Sequence, residues 1–101
     1  MLRELAELGF SQVELSHGIR MTLVPGIMKA LDENIVSISS VHNFCPLPSG
    51  VQFAAPNFYQ PSAPQSGERA LWKKYTLKTM EFGGMVGART VVMHSGSAFF
   101  F

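Results

Sequence analysis

The order of amphipathic and β-branched segments predicts an α/β protein built on a parallel sheet. Two observations carry that prediction. The apolar run at 35–41, IVSISSV, leads into His42 and then breaks into a proline-rich loop, and a shorter run at 90–93, TVVM, leads into His94. Helix-patterned segments stand between the strand-like ones, and alternation of this kind implies right-handed crossovers within one parallel sheet. Ligands of such sheets sit just beyond the carboxyl ends of the strands, where both histidines fall.

In chain order, residues 2–8 place Leu2, Leu5, Ala6 and Leu8 at helical spacing, with Arg3, Glu4 and Glu7 on the other side. Gly9 suits the left-handed position after the last turn. A short strand is expected at 12–16. The second helix is expected at 24–33, with Pro25 in the first turn, where a missing N–H costs nothing. Val24, Ile27, Met28 and Leu31 form its apolar stripe, and Asn34 suits the left-handed cap. The strand at 35–41 follows at once.

Residues 43–66 hold five of the six prolines and read as a long loop. Loops of that length inside compact domains are uncommon. Val51, Phe53, Phe58 and Tyr59 favour a packed lid, and the plainer reading is an insertion that covers one end of the sheet. The third helix is expected at 67–86, with Ser66 as cap and Glu68 favourably placed in the first turn. Its buried stripe is read as Leu71, Tyr75, Phe82 and Val86. Gly83 and Gly84 weaken the last turns or allow close packing on the sheet. The resulting order, α-β-α-β-loop-α-β, leaves both sheet edges unpaired, which invites self-association.

A chain of 101 residues with 47% hydrophobic and 15% charged residues is a core-forming domain of modest size, not a disordered segment. A net charge of +1 offers no electrostatic footprint for nucleic acid or an anionic membrane. The pair Lys73 and Lys74 reads as a solvated helix face. No apolar run approaches a membrane span, and MLRELAELGF lacks the apolar stretch of a secretory signal. A single cysteine, Cys45, allows no intrachain disulfide. The expected location is the cytoplasm.

All three histidines, His17, His42 and His94, follow expected strands, so a shared polar site at one end of the sheet is weighed against coincidence. Imidazole is both a common metal ligand and a hydrogen-bond partner for hydroxyls. Glu14, flanked by Val13 and Leu15, points away from the layer those two face. It is either an interior carboxylate able to bind a metal, accept from a hydroxyl or act as a base, or an exposed residue of an edge strand. Cys45, in HNFC, lacks the partners of a zinc pattern and reads as a small buried residue.

Taken together, LAELGFSQVELS, SSVHNFCP and GMVGARTVVMHSG resemble the N-terminal half of the xylose isomerase-like TIM barrel proteins, the sugar phosphate isomerases/epimerases. More distantly they resemble endonuclease IV-type enzymes. The resemblance implies a single partial (β/α)8 barrel domain over 1–101, carrying strands two to four. It implies a mouth-side site where Glu14, His42 and His94 contact a sugar or sugar phosphate, with His17 as a neighbour. It also implies a divalent metal (Mn, Mg, Co or Zn) in the full-length enzyme and metal-assisted proton transfer beside a carbonyl. The family's catalytic glutamates and main metal ligands come from later strands. The chain is therefore expected to be part of an enzyme, inactive alone, with its catalytic residues unassigned. Two alternatives stand beside this one. In an endonuclease-like phosphodiesterase His42 and His94 would bind the metal, a reading the near-neutral charge disfavours. The other is a non-catalytic half-barrel that associates with itself or a partner.

Overall fold

A computed structural model describes residues 1–16, 18–48 and 59–94. The elements run α1 (Leu2–Glu7), β1 (Gln12–Leu15), a 3-10 turn (Met21–Leu23), α2 (Val24–Asp32), β2 (Ser37–His42), α3 (Ser66–Val86) and β3 (Thr90–Val92). The three strands form one parallel sheet in the order β1-β2-β3. The expected alternation is therefore present, as a mixed α/β fold on a three-stranded parallel sheet.

All three helices end by the same device. The chain enters the left-handed region at Gly9 (φ 98°), Asn34 (φ 55°) and Gly87 (φ 79°), one residue type without a Cβ and one that tolerates the conformation. Two backbone bonds close each end. After α1, Gly9 N–H donates to Ala6 O and Phe10 N–H to Leu5 O, both at 3.0 Å. Asn34 with Leu31 and Ile35 with Ala30 repeat the pattern after α2, as do Gly87 with Gly84 and Ala88 with Gly83 after α3. The turn satisfies carbonyls that the helix leaves open and aims the chain back along the sheet.

Leu15, Ile38, Val41, Cys45, Ile27, Phe82 and Val86 form one buried core, joined by Leu2, Val13, Val24, Met28, Leu31 and Val91 at its margin. Residues from all three helices thus meet the same face of the sheet. Sequential strand order with right-handed crossovers demands this, because each crossover then lies on the same side as the last. At Gly83 a Cβ would stand 3.3 Å from Val41 Cγ2, so glycine allows α3 its close approach there, whereas Gly84 is exposed.

One irregularity sets the faces of β2. Val13 lies opposite Ile38 and Glu14 opposite Ser40, leaving Ser39 as an extra residue in β2. Without it, Ile38 and Val41, three apart, would point to opposite faces; with it, both join the helix-side core. Ser39 Oγ donates to Val13 O across the gap at 3.3 Å.

Two expectations for α3 need correction. Its N-cap is Gln65, without a side-chain cap bond, and Ser66 is already helical. Leu71 is 38% exposed, not part of the core stripe, and Thr76 and Thr79 are buried instead. The middle of α3 packs on the chain leaving β2, whose buried polar groups take hydrogen-bond partners that leucine cannot supply. Thr79 Oγ1 accepts from Cys45 N–H and donates to Tyr75 O, each at 3.0 Å. Thr79→Val is expected to cost about 1–3 kcal/mol by orphaning the Cys45 amide; a urea midpoint equal to that of the wild type would refute the assignment.

The described parts of the long loop are packed. Phe44, Cys45, Leu47 and Ala63 are buried. Tyr59 stacks on Tyr75 at 5.7 Å with an interplanar angle of 9°, and meets Phe44 edge-on, also at 5.7 Å. Val51, Phe53 and Phe58 lie outside the described residues. Lys73 and Lys74 are exposed, as expected of a solvated helix face. No helix among the described residues is long and apolar enough to cross a membrane.

Candidate functional site

With Val13 and Leu15 committed to the helix-side core, Glu14 falls on the opposite face of β1. Register places it beside Ser40, and period-2 alternation places His42 on that same face of β2. The three side chains meet at one atom. Ser40 Oγ donates to Glu14 Oε1 at 2.5 Å, and His42 Nε2 stands 3.7 Å from that same oxygen. Ser40 is 5% exposed, whereas the Glu14 and His42 side chains are 61% and 34% exposed. The result is a carboxylate held from below by a hydroxyl and from the side by an imidazole, with its outer oxygen outside both contacts.

This arrangement can accept a hydrogen bond from a ligand hydroxyl and offer an imidazole to another. It is not a nucleophilic triad, because the carboxylate lies between the serine and the histidine instead of behind the histidine. Among the described residues, no three His, Cys, Asp or Glu side chains are grouped closely enough to hold a metal ion. Glu14 and His42 supply two donors, one carboxylate and one imidazole.

The structure thus brings together two of the residues singled out from sequence, Glu14 and His42. His94 lies two residues beyond β3, exposed. His17 lies outside the described residues. Ser40 was not singled out, although counting back two from His42 along a strand would have placed it on the same face.

Asn43, the next residue, was also passed over. Its backbone N–H donates to Val92 O at 2.8 Å, and its Nδ2 donates to Thr76 Oγ1 at 3.0 Å. It is 2% exposed, and Oδ1 has no hydrogen-bond partner among the described residues. Asn43 therefore ties the end of β2 to both β3 and α3, directly behind His42. Cys45, two residues on, is wholly buried as expected, and burial pushes its thiol up to about 12.

A cavity of about 390 Å³ lies elsewhere, between α1, α2 and β1 on the helix side, and Glu14, Ser40 and His42 do not line it. Comparison with family models, with curated proteins and with solved structures returned no match to this chain.

Proposed function

We propose that this chain is the N-terminal part of a sugar phosphate isomerase/epimerase-like enzyme, a partial (β/α)8 barrel that contributes substrate-binding groups to proton transfer on a sugar or sugar phosphate. One observation supports the reading above the others. Glu14 and His42 converge on the sheet face opposite the helices, toward the carboxyl ends of β1 and β2. In barrels that face and that end form the reaction chamber. Sequential strand order with every helix on one side is also the winding that curls into a barrel, in contrast to the two-sided winding of open nucleotide-binding sheets.

In this reading Glu14 accepts from a substrate hydroxyl, Ser40 holds the carboxylate in place, and His42 and His94 bond neighbouring oxygens. Divalent-metal binding belongs to the same reading. This chain would bring Glu14 and His42 to it, and the remaining ligands, like the acid–base glutamates, would come from outside the described residues. Cytoplasmic location belongs to the same proposal.

The test is a titration of the isotope-labelled chain with ketose and aldose phosphates, followed by backbone and imidazole resonances. Shifts are expected at Glu14, Ser40 and His42. Glu14→Gln is expected to weaken binding about 10- to 100-fold, the range set by losing a charged hydrogen-bond acceptor. Its side chain is exposed, so stability should change by less than about 0.5 kcal/mol. Absence of any shift at these residues with millimolar sugar phosphate would overturn the proposal.

A further inference from the structure

β1 has a strand partner on one side only among the described residues, so one row of its backbone groups forms a sheet edge. Edges are ordinarily guarded by lysine, proline or a covering segment. The stretch 11–15, SQVEL, holds no Lys, Arg or Pro, and its one charge, Glu14, is engaged with Ser40 and His42 of its own sheet. Beside this edge, on the helix side, lies the 390 Å³ cavity, lined by Leu2, Leu15, Ile19, Leu23, Ile27 and Ile35 among others. Among the described residues, five of the ten exposed large hydrophobic side chains, Met1, Leu8, Phe10, Met21 and Leu23, belong to the segments flanking β1. Among the described residues, unguarded backbone and apolar surface thus coincide.

We propose that the β1 edge is a dimer interface, occupied by the β1 of a second copy of this chain in antiparallel register centred on Val13. The proposal stands apart from the enzymatic reading and competes with it at this edge, because a complete barrel would place a further strand beside β1. A two-fold axis perpendicular to the sheet keeps the helices of both copies on one side, so residues facing each other across the axis must share a sheet face. That restricts the register to one centred on a residue. Centring on Glu14 would set two carboxylates against each other, which is unfavourable. Centring on Val13 sets valine against valine on the apolar face. On the polar face it sets Gln12 of each copy against Glu14 of the other, an amide donor against a carboxylate. A net charge of +1 leaves little repulsion between copies. The product is a six-stranded sheet with the two apolar cavities flanking its centre.

Sedimentation velocity of the intact chain from micromolar to near-millimolar concentration tests the assembly, and Gln12 tests the register. Gln12 is exposed, so its replacement does not disturb the core. Gln12→Lys faces Glu14 of the other copy at two symmetric places and is expected to tighten the dimer by roughly 2- to 30-fold. Gln12→Glu is expected to loosen it by a similar factor, from cross-strand pair energies counted twice. Val13→Cys is expected to form a disulfide-linked dimer on mild oxidation, because directly opposed residues of antiparallel strands fall within disulfide reach. A chain that stays monomeric throughout overturns the proposal. A dimer whose affinity falls with both Gln12 variants, or in which Val13→Cys does not cross-link, overturns it as well.

Discussion

Phe82→Ala is expected to destabilise the chain by about 3–5 kcal/mol, a large share of the roughly 5–15 kcal/mol that holds a folded domain together. Phe82 is 4% exposed and belongs to the core with Leu15, Ile38, Val41 and Val86. It sits one residue before Gly83, where α3 lies tight against Val41 and Val91 of the sheet, so the backbone has little room to collapse into the space left behind. The loss therefore combines the transfer free energy of the ring with an unrelaxed cavity. Urea denaturation followed by circular dichroism measures it. A midpoint close to that of the wild type would mean that Phe82 is not central to the core. Leu71→Ala is the matched control: with Leu71 at 38% exposure, a change under about 1 kcal/mol is expected.

Cys45 is expected to resist thiol reagents in the folded chain by about a thousandfold at pH 8, relative to the unfolded chain. Burial raises its thiol from 9.0 to about 12, so the thiolate that attacks such reagents is scarce. The same burial makes stability pH-dependent, with a definite sign. The folded state holds the proton more tightly than the unfolded state, so the neutral thiol contributes its full stabilisation below about pH 9. As pH rises from 9 toward 12, the unfolded chain ionises first, and stability falls steadily through that window, by roughly 1 kcal/mol per pH unit. Cys45→Ala removes this alkaline slope, although it costs packing at every pH. Labelling with a chromogenic disulfide at pH 8, with and without urea, reads the reactivity. Rapid labelling of the folded chain would show that Cys45 is not where the structure puts it.

Local chemistry and long-range arrangement divide what could be read from the chain. Gly9, Asn34 and Gly87 announce the helix ends because the left-handed conformation is demanded within a few residues, and residue type alone reports it. The strand-like runs and the apolar stripe of α2 are legible for the same reason, since periodicity is a property of neighbouring residues. Even the side of the sheet that Glu14 occupies follows from Val13 and Leu15 once those two are known to face the core.

The sequence alone therefore determined the alternation of elements, their joints and that Glu14 faces away from Val13 and Leu15. Only the tertiary structure decided that Ser39 is an extra residue in β2, that Ser40 and His42 both reach Glu14, and that Thr76 and Thr79 of α3 are buried while Leu71 is not. Each of these depends on which residues of a distant segment lie opposite. Strand register and the buried face of a helix are settled by how well the whole set of apolar side chains packs and by where buried backbone groups find partners. No window of adjacent residues carries that information.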